Sequence, residues 1–333
     1  MITIPRKYQN KLTLKETEIA IKLIKDNFER FLSLNLDLIR VSAPLFVDPS
    51  TGLNDNLNGI EKPVGFTAGK HNQELEIVQS LAKWKRNALS KYGFLNGYGL
   101  YTDMNAIRPD EEVDNLHSIY VDQWDWEKVI EANNRNCDYL KSIVNKIIFS
   151  LYQTNEELKI KFPNLDFKIN KDVFYITSEE LLQMYPNLSP KERENEICKN
   201  KKTVFIIGIG HNLSNGEPHD GRSPDYDDWN LNGDILLWSD VLETAVEVSS
   251  MGIRVDKNSL LTQTQISNTN ERLILPYHQD IINDNLPLTI GGGIGQSRIC
   301  LLLLEKMHVG EVQSSYWPNE DKEIAEKLGA HLL

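Results

Sequence analysis

Cysteine is scarce in this sequence, which has 333 residues and three cysteines, Cys137, Cys198 and Cys300. The three are widely separated and form no Cys-x-x-Cys pair, so we expect neither a disulfide framework nor a cysteine-based zinc site. Each lies in an apolar or helical context, where a cysteine usually acts as a small buried hydrophobe. We therefore expect three free thiols.

Long apolar runs are absent as well. A membrane-spanning helix needs about 20 consecutive apolar residues, and residues 1–7 lack the continuous apolar stretch of a secretory signal. Positive charge is also in deficit, since 36 Lys and Arg face 48 Asp and Glu and give a formal net charge of -12. Nucleic-acid-binding proteins usually present a basic face, because phosphate contacts dominate their affinity. We therefore expect a cytoplasmic protein without a membrane or nucleic-acid partner, although a local basic patch is compatible with this charge.

The amino-acid composition suits a globular protein with a sizeable hydrophobic core. Hydrophobic residues make up 40% of the chain, and no internal repeat, low-complexity tract or clear linker divides it. We predict a single domain over residues 1–333, with a helical excursion at about residues 131–200.

The spacing of apolar residues predicts the order of helices and strands. In the first half we predict a helix over 14–32, a strand over 36–41, a loop over 46–66, a helix over 74–89, and strands over 100–108 and 117–126. In the second half we predict a long helix over 127–161 and strands over 172–176, 203–210, 234–238 and 243–247. Ser178 and Ser189 are predicted helix N-caps, and Pro190 suits the first helical position after Ser189.

A glycine-rich run precedes an arginine and an apolar helix near the end of the chain. Gly293 and Gly295 belong to this run, and Arg298 follows. Glycines let a backbone approach a flat or bulky group, and an arginine fork suits phosphate. The dinucleotide pattern fails because it requires glycine at Gln296 or Arg298, and no Gly-Lys-Ser/Thr follows as in a P-loop. A nucleotide site and a glycine-rich strand under a core helix both remain open on composition alone.

Two further segments carry polar residues where a core would be expected. In the strand predicted over 117–126, Gln123 and Asp125 continue an apolar face by the two-residue period of a strand, which indicates a half-buried site. On the helix predicted over 74–89, Lys83, Lys85 and Arg86 would ordinarily form a solvated basic edge; Trp84 among them indicates that part of this edge faces a pocket.

An acidic hairpin is predicted from the strands over 234–238 and 243–247. A four-residue connection would place Trp238 opposite Glu243 and Asp234 opposite Glu247, with directly opposite Cβ atoms about 5 Å apart. Two carboxylates at that distance repel unless a proton or cation joins them, and Mg²⁺ suits one or two carboxylates with substrate phosphates. The alternative is a pair of solvated acids on an exposed face, and the residues themselves do not decide between the two.

The glycine run with Arg298 resembles motif 3 of the class II aminoacyl-tRNA synthetase fold. Together with five further segments it resembles the ammonia-dependent asparagine synthetases, or aspartate–ammonia ligases, over nearly the whole chain. These segments are 80–86, 120–127, 224–229, 231–236 and 249–254. The resemblance implies an α+β fold with a class II synthetase-like core, in which helices flank a mainly antiparallel sheet.

The resemblance also implies an oligomer and an activity. The first helix and strand resemble motif 1, which builds the dimer interface in that fold, so we expect a homodimer; a surface helix with an edge strand is the alternative. The expected reaction is amidation of L-aspartate by ammonia, driven by ATP through a β-aspartyl-adenylate, with release of AMP and pyrophosphate. Free ammonia is the expected donor because position 2 is Ile2, whereas glutamine-using synthetases carry a cysteine nucleophile at the N-terminus.

The resemblance assigns roles to particular residues. Those at the chemical step are Arg108, Asp55 and Arg298. Those of the aspartate pocket are Lys85, Gln123, Asp125, Asp227, Ser250 and Arg254. Those that bind ATP are Arg108, Gly293, Gly295 and Arg298, and the Mg²⁺ ligands are Asp234 and Glu247. Arg108 with the acids after it resembles motif 2, and Asp55 is expected near the attacking ammonia, within a loop that could act as a lid.

Two alternatives share the resemblance. An aspartyl- or asparaginyl-tRNA synthetase paralogue would need an anticodon-binding domain, and too few residues precede the first predicted helix to hold one. A non-catalytic regulatory paralogue would be expected to have lost the arginines or the metal acids, whereas Arg108, Arg298, Asp234 and Glu247 are all present.

Overall fold

A computed structural model describes residues 3–5, 8–55 and 61–333 of the chain. The helices in these residues are α1 (Leu14–Leu36), α2 (Ala82–Lys91), α3 (Cys137–Lys161), α4 (Ser178–Met184), α5 (Pro190–Lys201), α6 (Lys257–Ile266), α7 (Pro276–Ile282), α8 (Gln296–Leu303) and α9 (Asn319–Lys327). The strands are β1 (Leu38–Arg40), β2 (Phe46–Val47), β3 (Gly65–Ala68), β4 (Gln73–Ile77), β5 (Gly99–Ile107), β6 (Tyr120–Val129), β7 (Phe174–Thr177), β8 (Thr203–Ile207), β9 (Asp227–Ser239), β10 (Thr244–Arg254) and β11 (Thr289–Gly295).

The main sheet of the described residues has eight strands in the order β1-β5-β6-β11-β10-β9-β8-β7. The outermost pairs, β1 with β5 and β7 with β8, are parallel, and the other neighbours are antiparallel. The predicted α+β class with a mainly antiparallel sheet is therefore confirmed. The centre of this sheet consists of β6, β11, β10 and β9, which carry most of the candidate site residues.

The two faces of the main sheet pack against different helices. One face packs on α1, α3 and α8 through the main hydrophobic core, where Trp124 and Trp126 of β6 are fully buried and Phe28 of α1 lies 4.6 Å from Trp124 between ring centroids. Because side chains alternate along a strand, the residues of β6 between these tryptophans point to the opposite face. Helix α2 covers that face.

The N-terminal helix follows its prediction closely. A capping box of Thr13 and Glu16 starts α1, and the helix ends at Asp37, whose left-handed backbone (φ 58) turns the chain directly into β1. The predicted helix over 14–32 thus exists and is four residues longer than its apolar pattern indicated. Strand β1 lies at one edge of the main sheet as the structure describes it.

Two predictions between residues 46 and 89 are wrong in part. The loop predicted over 46–66 contains β2 and the start of β3, and the helix predicted over 74–89 is a strand, β4, followed after a short connection by α2. Acidic and apolar residues alternate in β4, and its pairing with β2 and β3 in a separate three-stranded sheet resolves the period as that of a strand. Residues 56–60 of the predicted loop lie outside the described part of the chain.

The helical excursion at 131–200 contains α3, α4 and α5. Helix α3 begins ten residues later than predicted, at Cys137, because residues 127–129 continue β6. Thr177, not Ser178, caps α4, whereas Ser189 caps α5 with Pro190 in its first turn, as predicted. Strand β7 lies between α3 and α4 and joins the main sheet.

Two further observations concern the cysteines and the length and polarity of the helices. Cys137, Cys198 and Cys300 are free thiols, and the last two are buried. Within residues 3–5, 8–55 and 61–333, every helix is too short or too polar to traverse a lipid bilayer.

Candidate active site

A cavity of about 410 Å³ opens over the centre of the main sheet, on the face opposite the main core. Strands β6, β9, β10 and β11 and the N-terminus of α8 contribute to its walls. The predicted site residues that line it are Arg108, Gln123, Asp234, Glu247, Ser250, Gly293, Gly295 and Arg298. The structure thus brings together residues that lie up to 190 positions apart in the sequence, from Arg108 to Arg298.

The glycine run forms β11 and makes room for polar side chains of β6. The paired positions across these strands are Gly295 with Gln123, Gly293 with Asp125, and Gly291 with Glu127. A Cβ atom at Gly293 would overlap the side chains of Gln123 and Asp125, and one at Gly291 would overlap Glu127. The absence of side chains at Gly291 and Gly293 therefore lets three polar side chains of the neighbouring strand lean across β11.

Asp125 and Glu127 belong to a buried ion cluster, which we call the substrate cluster: Lys85, Asp125, Glu127, Asp227 and Arg254. Lys85 Nζ lies 3.3 Å from Asp125 and 4.0 Å from Glu127. Arg254 donates from Nε to both carboxylate oxygens of Glu127 and from Nη1 to Asp227. All five residues are buried. These five residues are two cations and three carboxylates, and the Arg222 guanidinium lies 3.9 Å from Asp227 at the edge of the cluster.

The charges in the substrate cluster determine each other's protonation. Burial lowers the pKa of Lys85, and the charge of Asp125 opposes that shift. Burial also disfavours the charged form of Arg254, but Glu127 and Asp227 outweigh it and raise the pKa of the guanidinium. Arg254 consequently stays charged inside the protein.

The predicted register of the acidic hairpin is wrong. Strands β9 and β10 do pair, but Asp234 lies opposite Ser250 and Glu247 lies opposite Leu236. The four-residue connection starts one residue later than predicted, and Glu243 sits in it with a left-handed backbone (φ 51). The regular two-residue period could not reveal where the turn would begin.

A β-bulge nevertheless brings the two acids to the same site. The register shifts between Glu247 and Ser249, so the strand contains one extra residue at Val248. Glu247 and Ser250, three positions apart, therefore face the same side as Asp234, and all three line the cavity. The predicted pairing is therefore wrong, although both carboxylates line one cavity.

Arg222 is a site residue that the sequence did not reveal. Its Nη2 lies 2.6 Å from Asp234, its Nη1 donates to Ser250 Oγ, and Asp227 lies 3.9 Å away. Burial raises the pKa of Asp234 to about 7, with Arg222 opposing the shift and Glu247 adding to it. Arg222 lies in an irregular loop, where no periodic pattern marks a site; only its closeness in sequence to Asp227 could have drawn attention to it.

The acids fit a metal ion that arrives with a nucleotide. Within the described residues, His, Cys, Asp and Glu form no group of three or more that could hold a metal. Asp234 and Glu247 offer two carboxylates to the cavity, and the charge of Glu247 adds to the effect of burial in raising the pKa of Asp234. Mg²⁺ commonly uses one or two carboxylates and completes its shell with phosphate oxygens and water, so this pair suits nucleotide-bound Mg²⁺.

The two predicted arginines retain hydrogen-bonding capacity at the cavity. Arg108 donates weakly to the Gln79 carbonyl at 3.4 Å, and its buried Nε has no hydrogen-bond partner in the described chain. Arg298 donates from Nη1 to the Glu247 carbonyl at 3.0 Å and to the Leu116 carbonyl from Nε at 3.4 Å. Arginine forks of this kind suit phosphate oxygens.

Asp55 lies beside the cavity and is almost fully buried. Burial raises the pKa of its carboxyl to about 6, and the charge of Lys83 opposes the shift. The charge of Asp55 also acts on Arg108 and Tyr226, both of which line the cavity. The residues that follow, 56–60, lie outside the described chain, so the expected lid remains a prediction.

The basic edge of α2 is buried. Lys83, Lys85 and Arg86 are only 4%, 1% and 2% exposed, so the solvated edge is wrong and the pocket indicated by Trp84 is the better interpretation. The sequence did not assign Lys83 or Glu127. The sequence could have indicated Glu127, because it follows Gln123 and Asp125 at the two-residue period of a strand and so lies on the same face.

Comparison with known proteins identifies relatives over almost the full chain. The family model for aspartate–ammonia ligase matches residues 15–329. The aspartate–ammonia ligase of Clostridium tetani is 56% identical over 333 residues, covering 100% of this chain and 98% of that protein. That of Fusobacterium nucleatum is 54% identical over 326 residues, covering 98% of this chain and 99% of that protein.

Solved structures resemble the fold at low sequence identity. Asparaginyl-tRNA synthetase from Pyrococcus horikoshii with asparaginyl-adenylate has a TM-score of 0.65 at 13% identity, covering 91% of this chain and 70% of that one. Aspartyl-tRNA synthetase from Entamoeba histolytica has a TM-score of 0.57 at 16% identity, covering 89% of this chain and 58% of that one. These likenesses confirm the class II aminoacyl-tRNA synthetase-like fold. The family match over residues 15–329, with relatives 54% and 56% identical over almost the full chain, shows that this chain belongs to the aspartate–ammonia ligase family.

Proposed function

We propose that this protein makes L-asparagine from L-aspartate, ammonia and ATP through a β-aspartyl-adenylate, and releases AMP and pyrophosphate. The observation that carries the proposal is the buried substrate cluster, which lies on a glycine strand beside a cavity edged by Arg108 and Arg298. This arrangement suits a small zwitterionic acid held next to a nucleotide.

The substrate cluster matches the charges of aspartate. Aspartate has two carboxylates and one ammonium group, so its site needs both cations and anions. Lys85 and Arg254 supply the cations, and Asp125 and Asp227 supply carboxylates that can receive the ammonium group. The single excess negative charge of the cluster favours that ammonium group. Glu127 is bonded at both oxygens to Arg254, so it orients the guanidinium.

Neutral hydrogen-bonding groups complete the pocket. Gln123 and Ser250 line the cavity on either side of β11, and Gln123 lies over Gly293 beside Asp125 of the substrate cluster. Such groups fix orientation without adding charge. We infer that they position the reacting side-chain carboxylate of aspartate.

The nucleotide part of the site lies towards α8. In the first half-reaction a carboxylate oxygen of aspartate attacks the α-phosphorus, the bond to the bridging oxygen of pyrophosphate breaks, and pyrophosphate leaves. Arg108 is assigned to the charge that develops on the α-phosphoryl group, and Arg298 to the triphosphate tail near Gly293 and Gly295. Asp234 and Glu247 would hold Mg²⁺, which supplies further neutralisation of phosphate charge.

Asp55 is assigned to the second half-reaction. Ammonium is the main form of ammonia at neutral pH, and it must lose a proton before its nitrogen can attack. A buried carboxylate beside the cavity can bind the cation and accept that proton. Asp55→Asn with an unchanged ammonium KM would contradict this assignment.

The assembly is a further part of the proposal. Strand β1 lies at the edge of the described main sheet, and Ile39 on it and Leu34 on α1 are 60% and 69% exposed. We propose a homodimer through α1 and β1, acting in the cytoplasm without a nucleic-acid partner, in which residues 1–333 form one catalytic domain. Light scattering on the purified protein, with a charged substitution at Ile39 as the variant, tests the interface.

One experiment tests the reaction. The purified protein is given aspartate and Mg-ATP with ammonium, with glutamine, or with neither, and AMP, pyrophosphate and asparagine are measured. We expect AMP in equal amount to asparagine, with ammonium alone. Aspartate-dependent ATP–pyrophosphate exchange followed by transfer to added tRNA would instead support a tRNA synthetase paralogue. Absence of any nucleotide turnover would support a non-catalytic paralogue.

A further inference from the structure

A second buried ion cluster lies behind the site and has no part in the reaction as described so far. Its centre is Asp225, which is fully buried. The groups that contact this carboxylate are Ser223 Oγ at 2.7 Å, Lys83 Nζ at 2.8 Å, His278 Nε2 at 2.9 Å and Arg272 Nη1 at 3.2 Å. We call Asp225 and these four residues the rear cluster. It joins α2, α7 and two connecting segments that are far apart in the sequence.

Lys83 connects the rear cluster to the turn before Asp55. Its Nζ donates to the Asn54 carbonyl oxygen at 3.2 Å while it contacts Asp225. The Asn54 side-chain oxygen in turn accepts from the backbone N–H groups of Asp55, at 2.9 Å, and Gln79, at 3.1 Å. One ammonium group therefore fixes the backbone from which the Asp55 side chain projects.

The charges also link Lys83 to Asp55. Lys83 and Arg272 are the cations that act on Asp55 from the rear cluster, and Asp225 is the carboxylate. With Asp55 ionised, this group of four has two positive and two negative charges. Loss of Lys83 would leave Asp55 and Asp225 with one fewer cation, which disfavours the ionised form of Asp55.

We propose that Lys83 is a positioning residue for the attack of ammonia: it holds the Asp55 carboxylate in place through Asn54 and Asp225. The inference rests on the proposed function and deepens it. Ammonium gives one proton to Asp55, and the freed nitrogen attacks the carbonyl carbon of the aspartyl-adenylate. The C–N bond forms, the bond from that carbon to the phosphate oxygen breaks, AMP leaves with the electron pair, and the nitrogen loses a second proton to solvent.

The two lysines of α2 then serve different half-reactions. Lys85 contacts the substrate cluster, where aspartate is activated, and Lys83 contacts Asp225 and Asn54. Formation of the adenylate can be measured alone as aspartate-dependent ATP–pyrophosphate exchange, which requires no ammonium. A residue that positions only the ammonia step should leave this exchange intact.

The test compares Lys83→Met with Lys85→Met. For Lys83→Met we expect exchange within about threefold of the unsubstituted protein and an ammonium KM raised about tenfold or more, as loss of a charge-assisted hydrogen bond produces. For Lys85→Met we expect loss of exchange itself. Parallel loss of exchange and asparagine formation in Lys83→Met would overturn the proposal.

Hydroxylamine separates positioning from a general structural role. It is largely unprotonated at neutral pH, so it can attack the adenylate without first giving a proton to Asp55. We expect Lys83→Met to form aspartyl hydroxamate at nearly the unsubstituted rate while it uses ammonium poorly. Equal loss with both nucleophiles would contradict the role.

A conservative variant covers the case in which Lys83→Met does not fold. Lys83→Arg keeps a charge and donors for Asp225 and the Asn54 carbonyl. We expect unchanged exchange and an ammonium KM raised about threefold; a drop in exchange as large as the drop in asparagine formation would overturn the proposal. Failure of the unsubstituted protein to make asparagine would instead reject the proposed function, independently of either variant.

Discussion

The substrate cluster and the rear cluster are two buried groups of charges that share one helix, since Lys83 and Lys85 are separated by a single residue of α2. Apart from Lys85, the substrate cluster lies on strands, and its carboxylates outnumber its cations by one. The rear cluster lies on loops and short helices, and its charges balance once Asp55 is counted. Unbalanced buried charge is costly unless a ligand completes it. From this difference we infer that the substrate cluster receives a cationic group, whereas the rear cluster holds the backbone in place.

The largest expected effect comes from breaking the substrate cluster at Arg254. Arg254→Met leaves Glu127 and Asp227 buried without their cation, which should lower the free energy of unfolding by about 3–5 kcal/mol. Aspartate-dependent exchange should become undetectable. Chemical denaturation and exchange assays measure the two effects, and a protein of unchanged stability and exchange would show that this cluster is not the aspartate site.

The glycine strand gives the next largest effect. A Cβ atom at Gly293 meets the side chains of Gln123 and Asp125, so Gly293→Ala should displace them and raise the aspartate KM about 100-fold. Gly69→Ala is the matched control, because a Cβ atom there meets nothing within 4 Å. Steady-state kinetics with varied aspartate measures the effect; similar KM values for the two variants would contradict the proposed pocket floor.

The pH dependence of the two half-reactions sharpens the comparison. The pKa of Asp55 is raised by burial to about 6, so this carboxyl gains a proton as pH falls through that value. The charged and titratable groups that act with it are Lys83, Asp225, Arg272, Arg108 and Tyr226. Because ammonium stays protonated throughout this range, kcat/KM for ammonium should fall about tenfold per unit below pH 6.

Unfolding does not explain such a loss. A carboxyl whose pKa is higher in the folded than in the unfolded protein binds its proton more tightly when folded, so at this residue acid stabilises the fold. The fall in kcat/KM for ammonium below pH 6 should be absent in Asp55→Asn. The residual activity of this variant should be low at every pH. Persistence of the same limb in Asp55→Asn would assign it to another group.

The smallest effect is expected within the rear cluster. His278→Gln keeps an N–H donor near the position of His278 Nε2, which lies 2.9 Å from Asp225. The free energy of unfolding should fall by less than about 1 kcal/mol, and both half-reactions should keep their rates. Thermal unfolding with parallel exchange and synthesis assays checks this. A selective loss of ammonium use would show that the imidazole, like Lys83, positions Asp55.

Sequence reasoning succeeded where the chemistry follows a local period. Gln123 and Asp125 were assigned to one polar face because strand residues alternate, and β6 places them together over β11. The family resemblance supplied Arg108, Arg298 and the two acids, and the structure places all four at one cavity. In these cases the relevant information lay within a few neighbouring residues or in a motif.

It failed where the outcome depended on partners distant in the chain. The register of Asp234 and Glu247 depended on a bulge at Val248, which has no signature in a two-residue period. Arg222 and Asp225 lie in an irregular segment, and their roles arise only when Ser250 and Lys83 pack against them. The sequence of residues 74–77 is compatible with both a helix and a strand. Only the pairing of β4 with β2 and β3 decides in favour of a strand.

The glycine strand β11 also limits how the pocket can be redesigned. Glycine has no side chain to remove, so no substitution at Gly293 can deepen the floor beneath Gln123 and Asp125. Room for a longer diacid, such as glutamate, would have to come from shortening those same polar side chains, which we propose as the contacts of aspartate. If they are, a substitution at Gly293 can only make this side of the pocket smaller, and enlarging it removes groups proposed to recognise aspartate.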